Sequence, residues 1–364
     1  MDIYVFNKEL NFIDTIDKFN SLQWIRKYND TGKFELHCPI TESTIRTLAR
    51  DNLVWIKNSK ELGIIEYRNL STNSNGEETL KINGRFVTSI LDRRIILGTE
   101  QYTNKELEII LRNIVDKNCI DTMAERKLPL ALCNLNNFKE KIDYQKSYGN
   151  LLEELKILSE TNSIGFLIRT DLEIKQHYFE LYKGIDRSIN QEVNSPVIFS
   201  RDYDNLYEQE YTDSIDNLRT TSVVAGEGEG SARKVIVVNN NFKGLDRREL
   251  FVDARDLQKE SETDGAKKVL SDTEYNSILV QRGKEKLSEC KDIKTFEGRI
   301  ISNNYIYKKD YDLGDIVTVM DKKWNVQVDT RITEVAEIYE GGKVQIVPTL
   351  GNKIPTILEK IRRM

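Results

Sequence analysis

The stretch from residue 311 to residue 351 limits the possible folds of this chain more than any other feature. Residues 316–319 are all β-branched, a composition that favours a strand. Residues 324–328 alternate between apolar and polar side chains, which predicts a strand with one buried face. A turn at residues 340–342 follows, because its two glycines supply the positive φ of a tight hairpin. We therefore predict two successive strand pairs here, forming the wall of a small β-barrel, with a turn or close backbone approach at Gly314.

Length and composition place the chain among globular proteins. With 364 residues, the length predicts two to three domains. Hydrophobic residues make up 39% and charged residues 31%, so the chain is polar but can build a core. The formal net charge is −5, whereas proteins that wrap nucleic acid need clustered positive charge. We therefore expect no specific nucleic-acid partner.

The cysteines and the start of the sequence bear on the cellular compartment. Cys38, Cys119, Cys133 and Cys290 lie far apart, and none belongs to a C-x-x-C pair. This spacing indicates reduced, mostly buried thiols in a protein made in a cytosol. The sequence does not open with a signal-peptide pattern, and no apolar run approaches the roughly 18 residues of a membrane span. We expect neither secretion nor a membrane-spanning segment.

Short alternating runs dominate residues 1–97 and predict six or seven strands there. Polar turns separate the runs, with a loop tip at residues 73–76. Thr41 precedes Ile45 and Leu48 at helical spacing, which predicts a short helix lying on the strands. Residues 1–97 are therefore predicted to form a first β-barrel-like domain.

The composition changes at Thr103, where helical patterns begin. Thr103 and Glu106 match a capping box, and an apolar stripe follows, so we predict a helix near residues 103–118. A second helix is predicted near residues 147–160, and three strands follow it. The expected second domain, residues 98–210, is α+β.

The remaining residues, 211–364, are predicted to be a β-rich segment with helices inserted over 244–291 and a short C-terminal tail. Ser271 or Asp272 is the predicted N-cap of one of these helices. Two apolar strands flank a glycine cluster at residues 226–230. Its spacers are glutamates, which would repel a phosphate, and the Lys and Ser/Thr of a phosphate loop are missing. We predict a hairpin tip rather than a nucleotide site.

We predict no catalytic residue, no cofactor and no bound metal. His37 and His177, the only histidines, are not at metal-ligand spacing from other donors, and both are predicted to be strand residues. A hidden carboxylate pair stays open as an alternative. The acidic pairs at 153–154 and at 208 and 210 are predicted to lie on solvated faces. The tyrosines at 203, 207 and 211 could bind sugars or a partner, although packing is the more frequent role of such residues.

Six segments together carry a resemblance to a known family. They are residues 24–39 (WIRKYNDTGKFELHCP), 65–86 (ending NGRF), 224–233 (VAGEGEGSAR), 295–299 (TFEGR), 313–319 (LGDIVTV) and 331–335 (RITEV). In this order and spacing they resemble phage tail proteins of the baseplate-hub or tail-tip class, the siphovirus ReqiPepy-type family. Such proteins also occur in contractile phages and in phage-tail-like bacteriocins.

The resemblance implies a structural hub in the virion tail, made in the host cytoplasm. The implied fold is mainly β with α+β parts: two barrel-like tube domains, often discontinuous in sequence, with peripheral helical or α+β domains. The implied assembly is a homotrimeric ring at the distal end of the tail tube. Two similar barrels per subunit look six-fold to the tube and three-fold to a central spike. The implied partners are a tail tube or distal tail protein, the central spike or tail-tip protein, and a tape measure protein.

Two alternatives stay open beside the hub. One is a tail-associated peptidoglycan hydrolase or endopeptidase that uses a carboxylate pair, and the other is a sugar- or receptor-binding module. A hub predicts subunit interfaces above roughly 800 Å² per partner. It also predicts a mixed-charge lumen without a deep catalytic pocket.

Overall fold

The structure, a computed structural model, describes residues 1–263, 266–300 and 305–351, and the chain divides into two compact units. Unit 1 consists of residues 1–89 and 164–213 and of the part of the chain from 293 onward. Unit 2 consists of residues 90–163 and 214–292. Both units are therefore discontinuous in sequence. The unit boundaries differ from the predicted domain boundaries at residues 97 and 210. The predicted domain boundaries stay a prediction.

Strands predominate among the described residues. The first strands are β1 Ile3–Phe6, β2 Phe12–Ile16, β3 Ser21–Lys27, β4 Lys33–Pro39, β5 Leu53–Ile56, β6 Gly63–Ile64, β7 Tyr67–Thr72 and β8 Glu78–Arg85. They are followed by β9 Thr99–Glu106, β10 Leu130–Leu132, β11 Lys141–Ser147, β12 Gly165–Asp171, β13 Gln176–Tyr182, β14 Asp186–Arg187, β15 Ile198–Ser200 and β16 Leu206–Ser214. The last are β17 Thr221–Ala225, β18 Val235–Val238, β19 Glu249–Asp253, β20 Glu260–Thr263, β21 Ala266–Val269, β22 Ile293–Ile300, β23 Ile316–Asp321, β24 Val326–Glu340 and β25 Lys343–Gly351.

The helices are fewer. The α-helices are α1 Glu42–Thr47, α2 Leu107–Val115, α3 Leu151–Asn162 and α4 Asp272–Ser288. A π-helical turn, Asp116–Ile120, continues α2. Short 3₁₀ helices lie at Val87–Arg93, Ala124–Arg126, Arg201–Tyr203, Gly230–Ala232 and Gly244–Asp246.

The first half of unit 1 is a module of two sheets, which we call module 1. One sheet has the order β2-β1-β5-β6, and the strands β3-β4-β8-β7 form the other side. Helix α1 connects the two sides at their open edges, since Ser43 donates to Asp14 on β2 and Arg68 on β7 donates to the carbonyl of Ile45. The side chains enclosed between the sheets include Val5, Leu22, Trp24, Phe34, Leu36, Ile56, Leu80, Ile82 and Phe86.

The second half of unit 1, module 2, is built around strands from the end of the chain. Strand β23 pairs parallel with β14 and β15 and antiparallel with β24, while β24, β25, β22 and β16 follow one another. Its core includes Tyr28, Phe199, Leu206, Phe296, Tyr311, Val317, Val319, Ile332, Val335 and Leu350. The predicted hairpin turn at residues 340–342 is confirmed, because Glu340 pairs with Lys343 and both glycines have positive φ.

Strand β24 joins the two modules. It is 15 residues long; its first part pairs with β23, and residues 334–340 pair in register with β3. An unbroken path of eight strands results, β16-β22-β25-β24-β3-β4-β8-β7, with four strands from each module. The prediction of a mainly β fold with α+β parts is confirmed. All described sheets have open strand orders, so none of them closes into a barrel.

A buried polar network crosses the junction between the modules. Arg26 on β3 is 7% exposed, and one guanidinium nitrogen lies 2.7 Å from the Tyr307 hydroxyl and 2.7 Å from a carboxylate oxygen of Asp312. Glu61, in the turn before β6, is 4% exposed and accepts a hydrogen bond from Thr88. Burial raises the pKa of Glu61 to about 7, although the charge of Arg26 opposes this shift. The junction therefore holds a carboxyl group that takes up a proton near neutral pH.

Unit 2 combines helices with small sheets. Strands β9 and β11 form an antiparallel ribbon, and β18-β17-β19 form a three-stranded sheet. Helix α4 packs on one face of that sheet around Val224, Val252, Tyr275 and Leu279. Its predicted N-cap is confirmed, since the Ser271 hydroxyl and the Glu274 carboxylate make a capping box.

Helix α2 begins later than predicted. Thr103 to Glu106 belong to β9, and the helix starts at Leu107 without a side-chain cap. The prediction of the apolar stripe was correct, but the capping-box prediction was wrong, because residues at the end of β9 pair with β11 instead (Glu106 with Lys141). Tertiary strand pairing overrides a local signal that contributes only about 1 kcal/mol.

Two further elements differ from their predicted bounds. Helix α3 begins at Leu151 with Asn150 as N-cap, since residues up to Ser147 pair as strand β11. Trp324 lies in the turn between β23 and β24 rather than in a strand, and its backbone N–H donates to Asp321.

A glycine substitution tests the contact between the two sides of module 1. A Cβ at Gly84 would lie 1.7 Å from the carbonyl oxygen of Ile64. We expect Gly84→Ala to lower the free energy of unfolding by about 3 kcal/mol or more, because backbone atoms cannot yield as a flexible side chain can. Gly76→Ala, at a loop-tip glycine with φ +81° and open space around it, should cost only about 1 kcal/mol. Denaturant unfolding measures both, and equal losses would contradict the close approach.

The proton at the module junction predicts a pH dependence of stability. Because the pKa of Glu61 is raised to about 7, the folded state holds a proton that the unfolded state releases near its ordinary pKa of 4.5. Its stabilising effect is therefore present below about pH 4.5 and is lost as the pH rises through 7. Between about pH 4.5 and pH 7, the free energy of unfolding should change less in Glu61→Gln than in the native chain, by on the order of 2–3 kcal/mol. Unfolding at several pH values measures it, and Glu78→Gln, an exposed acid on β8, should behave like the native chain.

Candidate functional site

The eight-stranded path of unit 1 has one buried side and one polar side. On β3, Leu22, Trp24 and Arg26 are buried, whereas Gln23 and Lys27 point to the opposite side. We call the opposite side the polar sheet face. On the six strands from β25 to β7 its members are Lys343, Gln345, Val347, Thr349, Glu334, Ala336, Ile338, Glu340, Ser21, Gln23, Ile25, Lys27, Lys33, Glu35, His37, Thr79, Lys81, Asn83, Arg85, Tyr67, Asn69 and Ser71.

Strand register arranges these side chains in rows across the sheet. One row runs through Lys343, Glu340, Ser21, His37, Lys81 and Asn69. The next runs through Gln345, Ile338, Gln23, Glu35, Asn83 and Tyr67. Charges of both signs alternate with amides and hydroxyls, so no large single-sign patch forms on these rows.

Ion pairs neutralise several of these charges locally. Glu35 lies 2.8 Å from the His37 ring nitrogen and 2.8 Å from the Lys81 ammonium. Burial raises the pKa of Glu35, but the hydrogen bonds from His37 and Lys81 outweigh that effect and hold the pKa below its ordinary value. Arg85 makes a two-point pair with Glu66, with contacts of 3.0 and 2.9 Å.

The path ends at β16 on one side and at β7 on the other. The outer edges of these two strands pair with no other described strand, and their backbone geometry differs. Just beyond β7, the Asn73 N–H donates to the Glu77 carbonyl, so these two residues form a hydrogen-bonded pair at the end of the β7–β8 ladder. Hydrogen-bonded and non-hydrogen-bonded pairs alternate along an antiparallel ladder. The backbone N–H and C=O groups of Arg68, Leu70 and Thr72 therefore point away from β8. On β16, Glu208 has φ +50°, which interrupts the strand locally.

The structure also brings together two carboxylates that sequence reasoning did not pair. Glu154 on α3 and Glu285 on α4 are 4% and 5% exposed, and both belong to unit 2. The prediction that Glu154 lies on a solvated face was wrong, although Glu153, Glu208 and Glu210 are exposed as predicted. The spacing of Glu154 from Leu151 and Leu158 places it on the inner face of α3, a signal that the sequence contained.

This acidic pair lacks the access that a hydrolase needs. The Tyr144 hydroxyl lies 3.0 Å from one Glu154 oxygen, and the Lys146 ammonium lies 2.8 Å from the other. The Gln281 amide donates to Glu285 at 3.0 Å. Protein groups therefore occupy both carboxylates, and a polysaccharide or peptide chain could not reach them in this conformation.

The other candidates from the sequence have structural partners. His177 on β13 is buried and lies 2.8 Å from the Thr170 hydroxyl, and burial lowers its pKa to about 4, so the ring is neutral. His37 is on β4, so the prediction of two strand histidines is confirmed. The glycine cluster connects the antiparallel strands β17 and β18, as predicted.

The tyrosines do not form one stripe. Tyr203 lies in a 3₁₀ helix, whereas Tyr207 and Tyr211 lie on β16, where Tyr211 packs on Phe296 at 6.0 Å. Within residues 1–263, 266–300 and 305–351, no group of three or more His, Cys, Asp or Glu side chains could hold a metal. In the same part of the chain, no helix has both the length and the apolar character needed to cross a membrane.

Solved structures of tail proteins have a similar fold. A prophage tail protein gp18 from Listeria monocytogenes EGD-e is 14% identical, with a TM-score of 0.56 over 100% of this chain and 98% of that one. A tail protein from Neisseria meningitidis MC58 is 12% identical, with a TM-score of 0.58 over 96% of both chains. The 43 kDa tail protein of prophage MuSo2 from Shewanella oneidensis is 12% identical, with a TM-score of 0.56 over 96% and 98%.

Sequence comparison assigns the family. No curated protein matches the sequence. The family model of the Siphovirus ReqiPepy6 Gp37-like protein matches residues 2–352, which is nearly the whole chain. The chain therefore belongs to the family of Siphovirus ReqiPepy6 Gp37-like proteins and is a protein of the phage-tail type.

Proposed function

We propose that this protein is a tail hub in which three copies form a ring around a channel. One observation carries the proposal: a single eight-stranded path takes four strands from each of two modules and has one polar face and two outer edges. In a ring of three, the polar sheet faces would line the channel. The outer edge β16 of one copy would pair with β7 of the next.

The junction inside one copy supports this geometry. Strand β24 of module 2 pairs with β3 of module 1 through seven residue pairs, from Glu334–Lys27 to Glu340–Ser21. A contact between β16 and β7 of neighbouring copies would repeat this sheet-to-sheet connection three times. Three copies would then supply about twenty-four strands, and a closed sheet with more than about 16–18 strands leaves an open channel.

The same arrangement satisfies two symmetries. Six modules, two from each chain, would present an approximately six-fold surface to a tail tube, while three chains would present a three-fold surface to a central spike. We therefore propose a tail tube or distal tail protein and a central spike as the partners. The mixed charges of the polar sheet face suit the passage of a tape measure protein, because scattered and paired charges give no strong binding site.

We further propose that the chain has no hydrolase activity. The acidic pair that could support a hydrolase, Glu154 and Glu285, is buried and bonded to Tyr144, Lys146 and Gln281. In addition, burial keeps His177 neutral, and its ring contacts Thr170.

The ring predicts that blocking one sheet edge prevents assembly. Native mass spectrometry at increasing concentration should show a trimer of the native chain. Leu70→Pro should leave a folded monomer, because the lost N–H points away from β8 and proline is tolerated at a strand edge. Leu70→Ala, which shortens the side chain and keeps the N–H, should still form trimers. A native chain that stays monomeric, or a Leu70→Pro variant that forms trimers equally well, would contradict the proposed edge.

Incubation with purified cell walls tests the absence of hydrolase activity. We expect no release of soluble muropeptides above a buffer blank, since Glu154 and Glu285 are buried and bonded to Tyr144, Lys146 and Gln281. Release that disappears in Glu154→Gln or Glu285→Gln would overturn the structural role and favour a tail-associated hydrolase.

A further inference from the structure

The two chain segments of unit 2, residues 90–163 and 214–292, meet along a polar seam. Two hydrogen bonds join Gln145 and Gln258 there. The side-chain NH₂ of Gln145 donates to the backbone carbonyl of Gln258 at 3.0 Å, and the backbone N–H of Gln258 donates to the side-chain oxygen of Gln145 at 2.8 Å. The hydroxyls of Thr161 on α3 and Ser288 on α4 lie 2.9 Å apart. Helices α3 and α4 therefore contact each other, in part through polar groups.

Glu154 and Glu285 lie within this seam, and each comes from a different segment. Three carboxylates share it with two cations. The Lys146 ammonium pairs with Glu154 at 2.8 Å. The Arg282 guanidinium makes a two-point pair with Asp256, at 3.0 Å for both contacts, and its Nε lies 3.7 Å from Glu285.

Asp256 is 43% exposed and holds both terminal nitrogens of Arg282. Among the described groups, the nearest cation to the buried Glu285 is therefore the Arg282 Nε at 3.7 Å, beyond hydrogen-bond distance. Tyr144 and Gln281 are neutral donors, and the sheet packed under α4 at Gly283 presents Ser222, Val224 and Val238. A buried unpaired charge costs several kcal/mol. A proton on Glu285 therefore removes a buried charge that lacks a close cationic partner.

Burial and the nearby charge of Glu154 raise the pKa of Glu285 to about 7, in agreement with the distance of 3.7 Å between Glu285 and Arg282. The direction follows from linkage. The folded state holds a proton that the unfolded state releases at lower pH, so the seam is strongest in acid and weakens as the pH rises through 7. Because both acids lie between helices, the weakening should act on the packing of α3 against α4.

We propose that the seam is a pH-sensitive latch between the two segments of unit 2, closed while Glu285 is protonated and loosened when it is charged. The latch is independent of ring formation, since all its groups belong to unit 2 of one chain. It provides a way for a tail protein to change the rigidity of one region without changing its fold.

Amide hydrogen exchange of the full-length chain from pH 5.5 to pH 8.5, corrected for the chemical pH dependence of exchange, tests the latch. We expect the protection of α3 and α4 to fall about tenfold between pH 6 and pH 8, the change that a pKa shift of one unit supplies. In Glu285→Gln the protection should vary less than about threefold over this range, because the amide stays neutral. Glu153→Gln, an exposed acid on the same helix, should follow the native profile.

If Glu285→Gln does not fold, the Lys146→Met variant and the position of the exchange change in the native chain still test the proposal. Lys146→Met leaves one cation against three carboxylates, so the proton should be held more tightly and the loosening should move to higher pH. A native profile without any loosening of α3 and α4 would overturn the proposal. So would a change confined to β5 and β6 around Glu61, or a Glu285→Gln chain that keeps the full pH dependence.

Discussion

The pairing of β24 with β3 is the interaction on which the architecture of unit 1 depends. It joins residues 21–27 to residues 334–340, so strands that are far apart in sequence lie side by side in one sheet. The loop-closure entropy of such a distant contact must be met before the contact contributes stability. Folding of this sheet should therefore be slow and should follow synthesis of the C-terminal strands. Arg26, bonded to Tyr307 and Asp312 across the same junction, adds a polar contact that only the correct register satisfies.

Buried carboxyl groups mark the places where distant segments meet. Glu61 lies beside Arg26 at the module junction, and Glu154 and Glu285 lie in the seam of unit 2. Such groups are poor sources of stability, because desolvation can cost more than ion pairing returns. They do penalise alternative packings strongly, since a misplaced segment would leave a buried charge unpaired. In a chain whose two units are both discontinuous, this penalty favours a single arrangement.

The acidic side chains of this protein lie in two different environments, the polar sheet face of unit 1 and the seam of unit 2. Acids on the face, such as Glu35, are paired with nearby cations and accessible to solvent. Glu154 and Glu285 in the seam are enclosed, and burial raises the pKa of Glu285 to about 7. The first set lies on an open surface, whereas Glu154 and Glu285 lie between two packed helices.

Local patterns in the sequence were sufficient where the chain interacts with itself over a few residues. The turn at 340–342, the cap at Ser271 and the apolar stripe of α2 were all readable, because glycine φ, side-chain capping and helical periodicity act within one element. The start of α2 was not readable, since β9 takes its hydrogen bonds from β11, which lies about 40 residues away. Only the tertiary structure brought β24 to β3 and Glu154 to Glu285. Periodicity records that a face is buried, but it does not record which distant segment covers it.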